Sequence, residues 1–223
     1  ASAPTTLGST LVSVVPTALD RIDPGAYRWV VLGGAADPGP RPANVVRTYG
    51  LTETGGGVVY DGRPIGDTEV ALGDDGAVRL RGSTLARGLR SPDGTVAPIT
   101  DDDGWLTTGD RGRWEGDRLV VDGRADDLIV TGGENVWPAP VEAVLGTHPA
   151  VAEVAVVGRA DAEWGQRVVA VVVPTDPRNP PELADLRAHA QEHLPPWAAP
   201  RELVVVEALA RTSLGKVRRD QLA

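Results

Sequence analysis

Gly123-Arg124-Ala125-Asp126-Asp127-Leu128-Ile129-Val130-Thr131-Gly132-Gly133-Glu134-Asn135-Val136-Trp137-Pro138 is the stretch on which the reading of the fold turns. Almost everything before it reads as sheet, and almost everything after it as a small α/β unit. Taken by itself it is the end of a strand (Leu119 to Val121), a charged turn, a short apolar strand (Leu128 to Val130) and a Gly-Gly turn. A helix then begins, with Pro138 suited to its first turn. Two adjacent aspartates behind an arginine suit a solvated hairpin between domains, or a swivel or binding edge, better than a sheet interior. The stretch alone leaves these readings open.

The chain of 223 residues is long enough for one large domain or two ordinary ones, and for a substantial core. That core has no Phe, Met or Cys to draw on and must be built from Val, Leu, Ile, Ala and six Trp. The absence of cysteine excludes disulfides, thiolate metal ligands and a cysteine nucleophile. A net charge of −9 with no basic block gives no electrostatic footprint for nucleic acid. Apolar runs such as Val168 to Val173 are far too short to cross a bilayer, and residues 1–20 lack a basic start followed by an apolar run. A cytoplasmic protein is therefore expected. Lys216 is the one lysine among 22 basic residues. Lysine is a compact point charge and arginine a planar fork. Lys216 either meets a need for the point charge or has escaped a bias toward arginine.

Upstream, Ser9 to Val15 reads as a buried strand, with a short helix over Thr17 to Arg21. Trp29 to Leu32 and Asn44 to Arg47 are apolar strands that run into glycine-rich loops, Gly33-Gly34-Ala35-Ala36 and Tyr49-Gly50-Leu51-Thr52-Glu53-Thr54 with three glycines after it. In α/β sheets, ligands bind at such carboxyl ends. Between residues 58 and 122, Asp-Gly and Gly-Asp turns separate short strands at Val58–Tyr60, Glu69–Leu72, Ala77–Arg81 and Arg118–Val121. This pattern predicts a small antiparallel barrel or sandwich holding an acidic loop, Asp103 to Asp110, with an isolated Trp105. Downstream, helices over Pro138–Leu145 and Pro181–Leu194 alternate with strands at Val151–Val157, Arg167–Val173 and Arg201–Val206.

Two motif matches carry little. His189-Ala190-Gln191-Glu192-His193 fits an inverted zinc-protease signature, but the only other histidine, His148, lies in a separate loop, and a catalytic zinc needs a third ligand. The tail Ala210 to Val217 has the Gly-Lys of a phosphate-binding loop, but Ala210 replaces its first glycine and Val217 its magnesium-binding hydroxyl. It can still place an ammonium beside a phosphate, or be a plain solvated loop. Tyr49 to Glu53 offers a hydroxyl, a carboxylate and free amides suited to phosphate and a divalent metal.

Taken in order, Tyr49–Glu53, Thr108–Asp110, Gly123–Asp127, Thr131–Val136 and Thr212–Lys216 resemble the motifs of the adenylate-forming (AMP-binding) superfamily. That superfamily includes acyl-CoA synthetases, adenylation domains and luciferases. Arg47–Thr54 and Val130–Glu142 look most like the o-succinylbenzoate–CoA ligases of menaquinone synthesis. The resemblance implies an α/β fold, α+β in parts. Residues 1–125 would be the closing portion of a large AMP-binding domain, with sheet strands in 9–57 and a barrel-like part in 58–122. Residues 126–223 would be a compact, mobile C-terminal domain.

The resemblance further implies an acid–thiol ligase that joins a carboxylate to ATP and passes the acyl group to coenzyme A. Lys216 would contact the α-phosphate and acyl carboxylate, Thr52 the α-phosphate, and Glu53 a Mg2+ ion. Tyr49 would stack on adenine, Gly33 and Gly34 would face the adenine or acyl group, and Asp110 would accept the ribose hydroxyls with help from Arg124. Asp126 would be the hinge, and Gly132, Gly133 and Glu134 would line the pantetheine path. The resemblance allows a homodimer.

The superfamily's Ser/Thr- and Gly-rich phosphate loop is expected upstream of residue 1, since Thr5 to Ser9 is unlike it. The segment from Gly34 to Tyr49 is short where a helix is usual. A non-catalytic module of the same fold, an acyl- or aryl-CoA synthetase of other specificity, and a stand-alone adenylation enzyme remain alternatives.

Overall fold

The computed structural model describes residues 10–19, 21–33, 41–212 and 217–222. Of the sequence expectations, Thr5 to Ser9, Gly34 and the glycine-rich residues after it, and Lys216 lie outside the described residues. The fold is mixed α/β, rich in sheet and poor in helix, and divides into two compact units, Ala1–Asp122 and Gly123–Ala223. No helix among the described residues is long and apolar enough to cross a membrane.

In the first unit, strand β1 (Leu11–Val14), a one-turn helix α1 (Pro16–Leu19), β2 (Trp29–Leu32) and β3 (Val45–Leu51) give three neighbouring parallel strands. Strands β4 (Gly56–Tyr60) and β5 (Arg63–Pro64) extend this sheet antiparallel, in the order β1-β2-β3-β4-β5. Val30, Leu32 and Val45 form its buried centre. A second sheet is built from β6 (Glu69–Leu72), β7 (Ala77–Arg81), β10 (Leu106–Glu115) and β11 (Arg118–Arg124), in the order β11-β10-β7-β6. A two-stranded ribbon, β8 (Leu89–Arg90) with β9 (Val96–Ala97), lies between β7 and β10 in sequence. Val58 and Val59 of the first sheet pack with Val78, Leu80 and Leu119 of the second in one apolar cluster.

Two expectations are corrected here. Residues from Leu106 to Asp110 are not an acidic loop but the first half of the ten-residue β10. Leu106, Thr108 and Asp110 are buried, and Thr107 and Gly109 exposed, the two-residue period of a strand. Trp105 is not isolated, because the guanidinium groups of Arg79 and Arg81 stand 5.3 and 4.7 Å from its ring centre. Likewise β11 does not end at Val121. It continues through Gly123 to Arg124, and the charged turn is a single 3-10 turn, Ala125–Asp127.

The second unit contains β12 (Ile129–Thr131), β13 (Glu134–Val136), helix α2 (Pro138–Leu145), β14 (Val151–Asp161), β15 (Gly165–Pro174), helix α3 (Leu183–Gln191) and β16 (Glu202–Val205). The pair β12–β13 is a hairpin around Gly132-Gly133, so one more strand intervenes before the helix than the sequence had implied. Helix α2 has the predicted bounds. The predicted Pro181–Leu194 helix contracts to Leu183–Gln191.

β15 organises this unit. It pairs antiparallel with β14 along one edge, and with Glu202 to Val205 of β16, in parallel, along the other. Its run Val168-Val169-Ala170-Val171-Val172 is buried on both faces. Val168, Ala170 and Val172 pack with Val141 and Leu145 of α2 and with Leu186 and Ala190 of α3. Val169 and Val171 pack with Val204, Leu209, Val217 and Leu222. A strand covered on both sides reads as a continuous apolar run, which is how its sequence reads.

Glu202 fastens β16 to β15 and β14. Its Oε2 accepts from Arg167 Nε at 2.6 Å and its Oε1 pairs with Arg159. The Arg167 hydrogen bond, with Arg159 beside it, holds the Glu202 carboxyl below its ordinary value of 4.5 against the opposing effect of burial. A depressed carboxyl contributes stability that is full above the unfolded value and is lost as pH falls through the folded one. Glu202→Gln is therefore expected to lower stability by about 1–2 kcal/mol at neutral pH. The difference from the parent should shrink as pH falls below about 4.5 in paired thermal melts.

Candidate functional site

The first unit gathers polar groups where β2 and β3 end. Gly33 follows β2 directly. A Cβ at Gly33 would lie 2.9 Å from Thr48 Oγ1 on β3. Tyr49 is on β3, and its hydroxyl donates to Asp110 Oδ2 at 2.8 Å. Asp110 is only 6% exposed and its backbone N–H donates to Thr108 Oγ1 at 3.1 Å. The structure thus brings together Tyr49, Thr108 and Asp110 from segments about sixty residues apart. A buried carboxyl group needs such partners.

Thr52 and Glu53 lie just beyond β3 in a 3-10 turn, Thr52–Thr54. Among the described residues the Thr52 side chain has no hydrogen bond, and the Glu53 carboxylate no hydrogen bond or ion pair. The backbone beneath them is tied down. Glu53 C=O accepts from Ala86 N–H at 2.7 Å. Thr54, 4% exposed, accepts from Leu51 N–H at 2.8 Å, and its Oγ1 approaches the carbonyls of Leu51 and Gly56 at 2.9 and 2.6 Å. The pairing of Gly50 with Gly57 explains the glycines here, since a Cβ at Gly50 would fall on the Gly56 carbonyl. Thr54 escapes a reading of the sequence, because a threonine in a Thr-Glu-Thr run gives no hint of which hydroxyl turns inward.

In the second unit, Arg124 and Asp126 are exposed, and their charged atoms stand 3.9 Å apart. Gly132 has φ 61° and donates its N–H to Trp164 C=O at 2.8 Å. A Cβ on Gly132 would meet the Trp164 ring at 2.7 Å, and the Arg201 guanidinium lies 4.2 Å from the centre of that ring. The Gly132-Gly133 turn is thereby seated on an aromatic plate that no sequence motif singles out. Glu134 begins β13 and is exposed. The backbone of Arg211 bridges to Val217, and Arg218 N–H donates to Ala210 C=O at 2.8 Å. These bonds close the base of the segment that carries Lys216.

The histidine signature holds no metal geometry. His189 Nε2 is engaged by Thr147 Oγ1 at 2.9 Å and Val144 C=O at 3.1 Å. Among the described residues, no group of three or more His, Asp or Glu side chains is placed to hold a metal ion.

In comparison with known protein families, residues 140–216 match the AMP-binding enzyme C-terminal domain. The chain is similar to a probable 2-succinylbenzoate–CoA ligase of Mycobacterium tuberculosis, 48% identical over 208 residues that cover 86% of this chain and 52% of the relative. It is also similar to the solved o-succinylbenzoate CoA synthetase of Bacillus subtilis in complex with its acyl-adenylate intermediate. That likeness has a TM-score of 0.79 and 29% identity, and covers 96% of this chain and 50% of the other. The same Bacillus subtilis enzyme solved with ATP and magnesium ion matches with TM-score 0.79 and 29% identity over 96% of this chain and 51% of the other. The chain spans about half the length of the curated relatives it matches.

Thr54→Val keeps the shape of the side chain and removes the hydroxyl that ties the Thr52–Thr54 turn. It is expected to cost about 1–3 kcal/mol in denaturant unfolding, the penalty for stranding buried polar groups. Thr52→Val, on the exposed side of the same turn, should stay within about 0.5 kcal/mol.

Proposed function

We propose, since the chain belongs to the adenylate-forming superfamily, that it carries part of an ATP-dependent acid–CoA ligase acting on 2-succinylbenzoate, an AMP-forming acid–thiol ligase of menaquinone synthesis. The observation that carries this reading is the 48% identity to the mycobacterial relative over 86% of the chain. The arrangement of Tyr49, Thr52, Glu53 and Asp110 at one sheet end supports it. So does the closed base beneath Lys216.

In this reading the chain's residues divide the work. Asp110, held by the Tyr49 hydroxyl, accepts hydrogen bonds from the ribose, and the Tyr49 ring lies against adenine with Gly33 and Gly34 beside it. The Thr52 hydroxyl donates to the α-phosphate. Glu53 fits a magnesium ligand, because its carboxylate has no partner among the described residues and Mg2+ takes one or two carboxylates besides phosphate oxygens. The ion would neutralise charge on the phosphates. Lys216 supplies a point cation where negative charge grows between the carboxylate and the α-phosphate. The carboxylate attacks the α-phosphorus, pyrophosphate leaves, and the acyl-adenylate remains. The coenzyme A thiol then displaces AMP, with Gly132, Gly133 and Glu134 along the pantetheine path and Arg124 on the nucleotide side. Asp126 is the hinge between the two reactions.

Residues 1–125 are then the closing portion of a larger AMP-binding domain, with 58–122 as its barrel-like part, and 126–223 the mobile small domain. The partners are small molecules rather than nucleic acid or a membrane, the location is cytoplasmic, and a homodimer is allowed.

Carboxylate-dependent exchange between ATP and pyrophosphate, measured on the whole ligase containing this chain, tests the assignment. Lys216→Ala should reduce the rate on the order of 10²-fold or more; a rate within a few-fold of the parent would overturn the role of Lys216. Asp126→Pro fixes φ in an exposed turn. It should impair one half-reaction far more than the other, and equal loss in both would count against a hinge at this position.

A further inference from the structure

The resemblance assigned no role to Arg219, yet this side chain links its own turn to two other elements of the second unit. It opens the C-terminal 3-10 turn Arg219–Gln221. Its Nη2 donates to both carboxylate oxygens of Glu142 in α2, at 2.7 and 2.8 Å. Glu142 Oε1 also accepts from Val156 N–H in β14 at 2.8 Å. The other terminal nitrogen, Nη1, lies 3.8 Å from Asp127 Oδ2 in the turn Ala125–Asp127. A groove of about 280 Å³ runs alongside, lined by Asp126, Asp127, Gly158, Gln166, Arg219 and Asp220 among others.

The covalent neighbours of Arg219 give this arrangement its meaning. Val217, two residues earlier, closes the base of the Lys216 segment through its bridge to Arg211. Arg218, between them, adds the 2.8 Å bond to Ala210 C=O. On the other side of that base, Arg211 Nη2 pairs with Glu153 Oε2 on β14 at 2.6 Å. The chain on either side of the segment is therefore stapled once to β14, through Arg211, and once to α2, through Arg219, and the second staple also faces the turn that contains Asp126. A guanidinium suits this position because its fork can hold two oxygens of one carboxylate and still present a second nitrogen elsewhere.

We infer that Arg219 is a positioning residue that couples the Ala125–Asp127 turn to the base of the segment carrying Lys216. Glu142 is its fixed partner and Asp127 its weaker one, at the distance where a small change in the dihedrals of the turn makes or breaks the pair. A change in the turn is thereby felt at the Arg211–Val217 base. The catalytic consequence rests on the function proposed above; the coupling itself does not.

Lys216 is the one lysine of the 223-residue chain, so a lysine-specific endoprotease reports on this segment at a single bond. Under native conditions Arg219→Gln should accelerate cleavage after Lys216 roughly 3- to 10-fold. The rate should be nearly independent of low urea, the mark of local rather than global opening. Asp127→Asn, a change on a partly exposed turn that leaves the fold intact, should accelerate cleavage about two-fold, and should add nothing in the Arg219→Gln background. An unchanged rate in Arg219→Gln, or an Asp127→Asn effect that is absent or identical in both backgrounds, would overturn the coupling.

In the whole ligase, Arg219→Gln should change the ratio of adenylation to thioester formation, and Arg219→Lys should restore it in part. Equal loss in both half-reactions would reduce Arg219 to a structural tie and overturn its positioning role. If the parent ligase performs neither half-reaction, the function reading falls and the cleavage rates alone decide the inference.

Discussion

β15 cannot leave either face to water. Five consecutive small and branched apolar residues, Val168 to Val172, are each at most 1% exposed, and each buried valine contributes about 1.5–3 kcal/mol. One face is covered by α2 and α3. The other has no helix to cover it among the described residues and is covered instead by the chain beyond β16, including Leu209, Val217 and Leu222. The return of the C-terminal segment onto the sheet is therefore a requirement of the core. It carries with it the base of the Lys216 segment and the Arg219 turn. The charged residues around Val217 are thus placed by a hydrophobic constraint.

The first unit reaches a buried charge by a different route. Asp110 is inside because it occupies an inward position of β10, two residues after Thr108 and four after Leu106. Strand alternation puts a carboxylate where an apolar side chain would ordinarily sit. Such a placement persists only if donors meet it. Tyr49 supplies one from the neighbouring sheet, and in doing so fixes the orientation of its own ring. The same bond serves the fold, by giving Asp110 a donor, and on the proposed reading the site, by orienting the Tyr49 ring near the carboxyl end of β3. Thr54 plays the corresponding part for the next turn, where its hydroxyl holds the backbone and Thr52 and Glu53 are left available.

Much of this was legible in the sequence, and the failures have physical causes. Strands Trp29–Leu32, Glu69–Leu72 and Ala77–Arg81 and helix Pro138–Leu145 follow from apolar period and from Pro and Asp-Gly punctuation, which act locally. β10 escaped because its inward positions past Leu106 are Thr108, Asp110 and Gly112, so the alternation of burial is not an alternation of hydrophobicity. The strand Glu134–Val136 is three residues long and held by pairing with β12, a tertiary fact. Candidate site residues could be proposed only where they sit in short ordered motifs. Trp164 and Arg219 could not, since Trp164 acts by lying under Gly132 and Arg219 meets Glu142 across 77 residues of sequence.

The arginine-rich composition that drew attention to Lys216 also concealed Arg219. One lysine among 22 basic residues is conspicuous, and any single arginine is not. The two positions nevertheless ask for opposite chemistry. At Arg219 the need is for breadth, with two oxygens of Glu142 held in one plane and Asp127 approached from the other nitrogen, a geometry that an ammonium on a flexible stem cannot hold at once. At Lys216, on the proposed reading, the need is for a compact charge that follows negative charge as it develops and donates in any direction. A composition pressed toward arginine loses nothing at the first position and would lose function at the second. On that reading, the exception three residues away from a fork-shaped clamp has a physical reason: breadth is needed at Arg219 and a compact charge at Lys216.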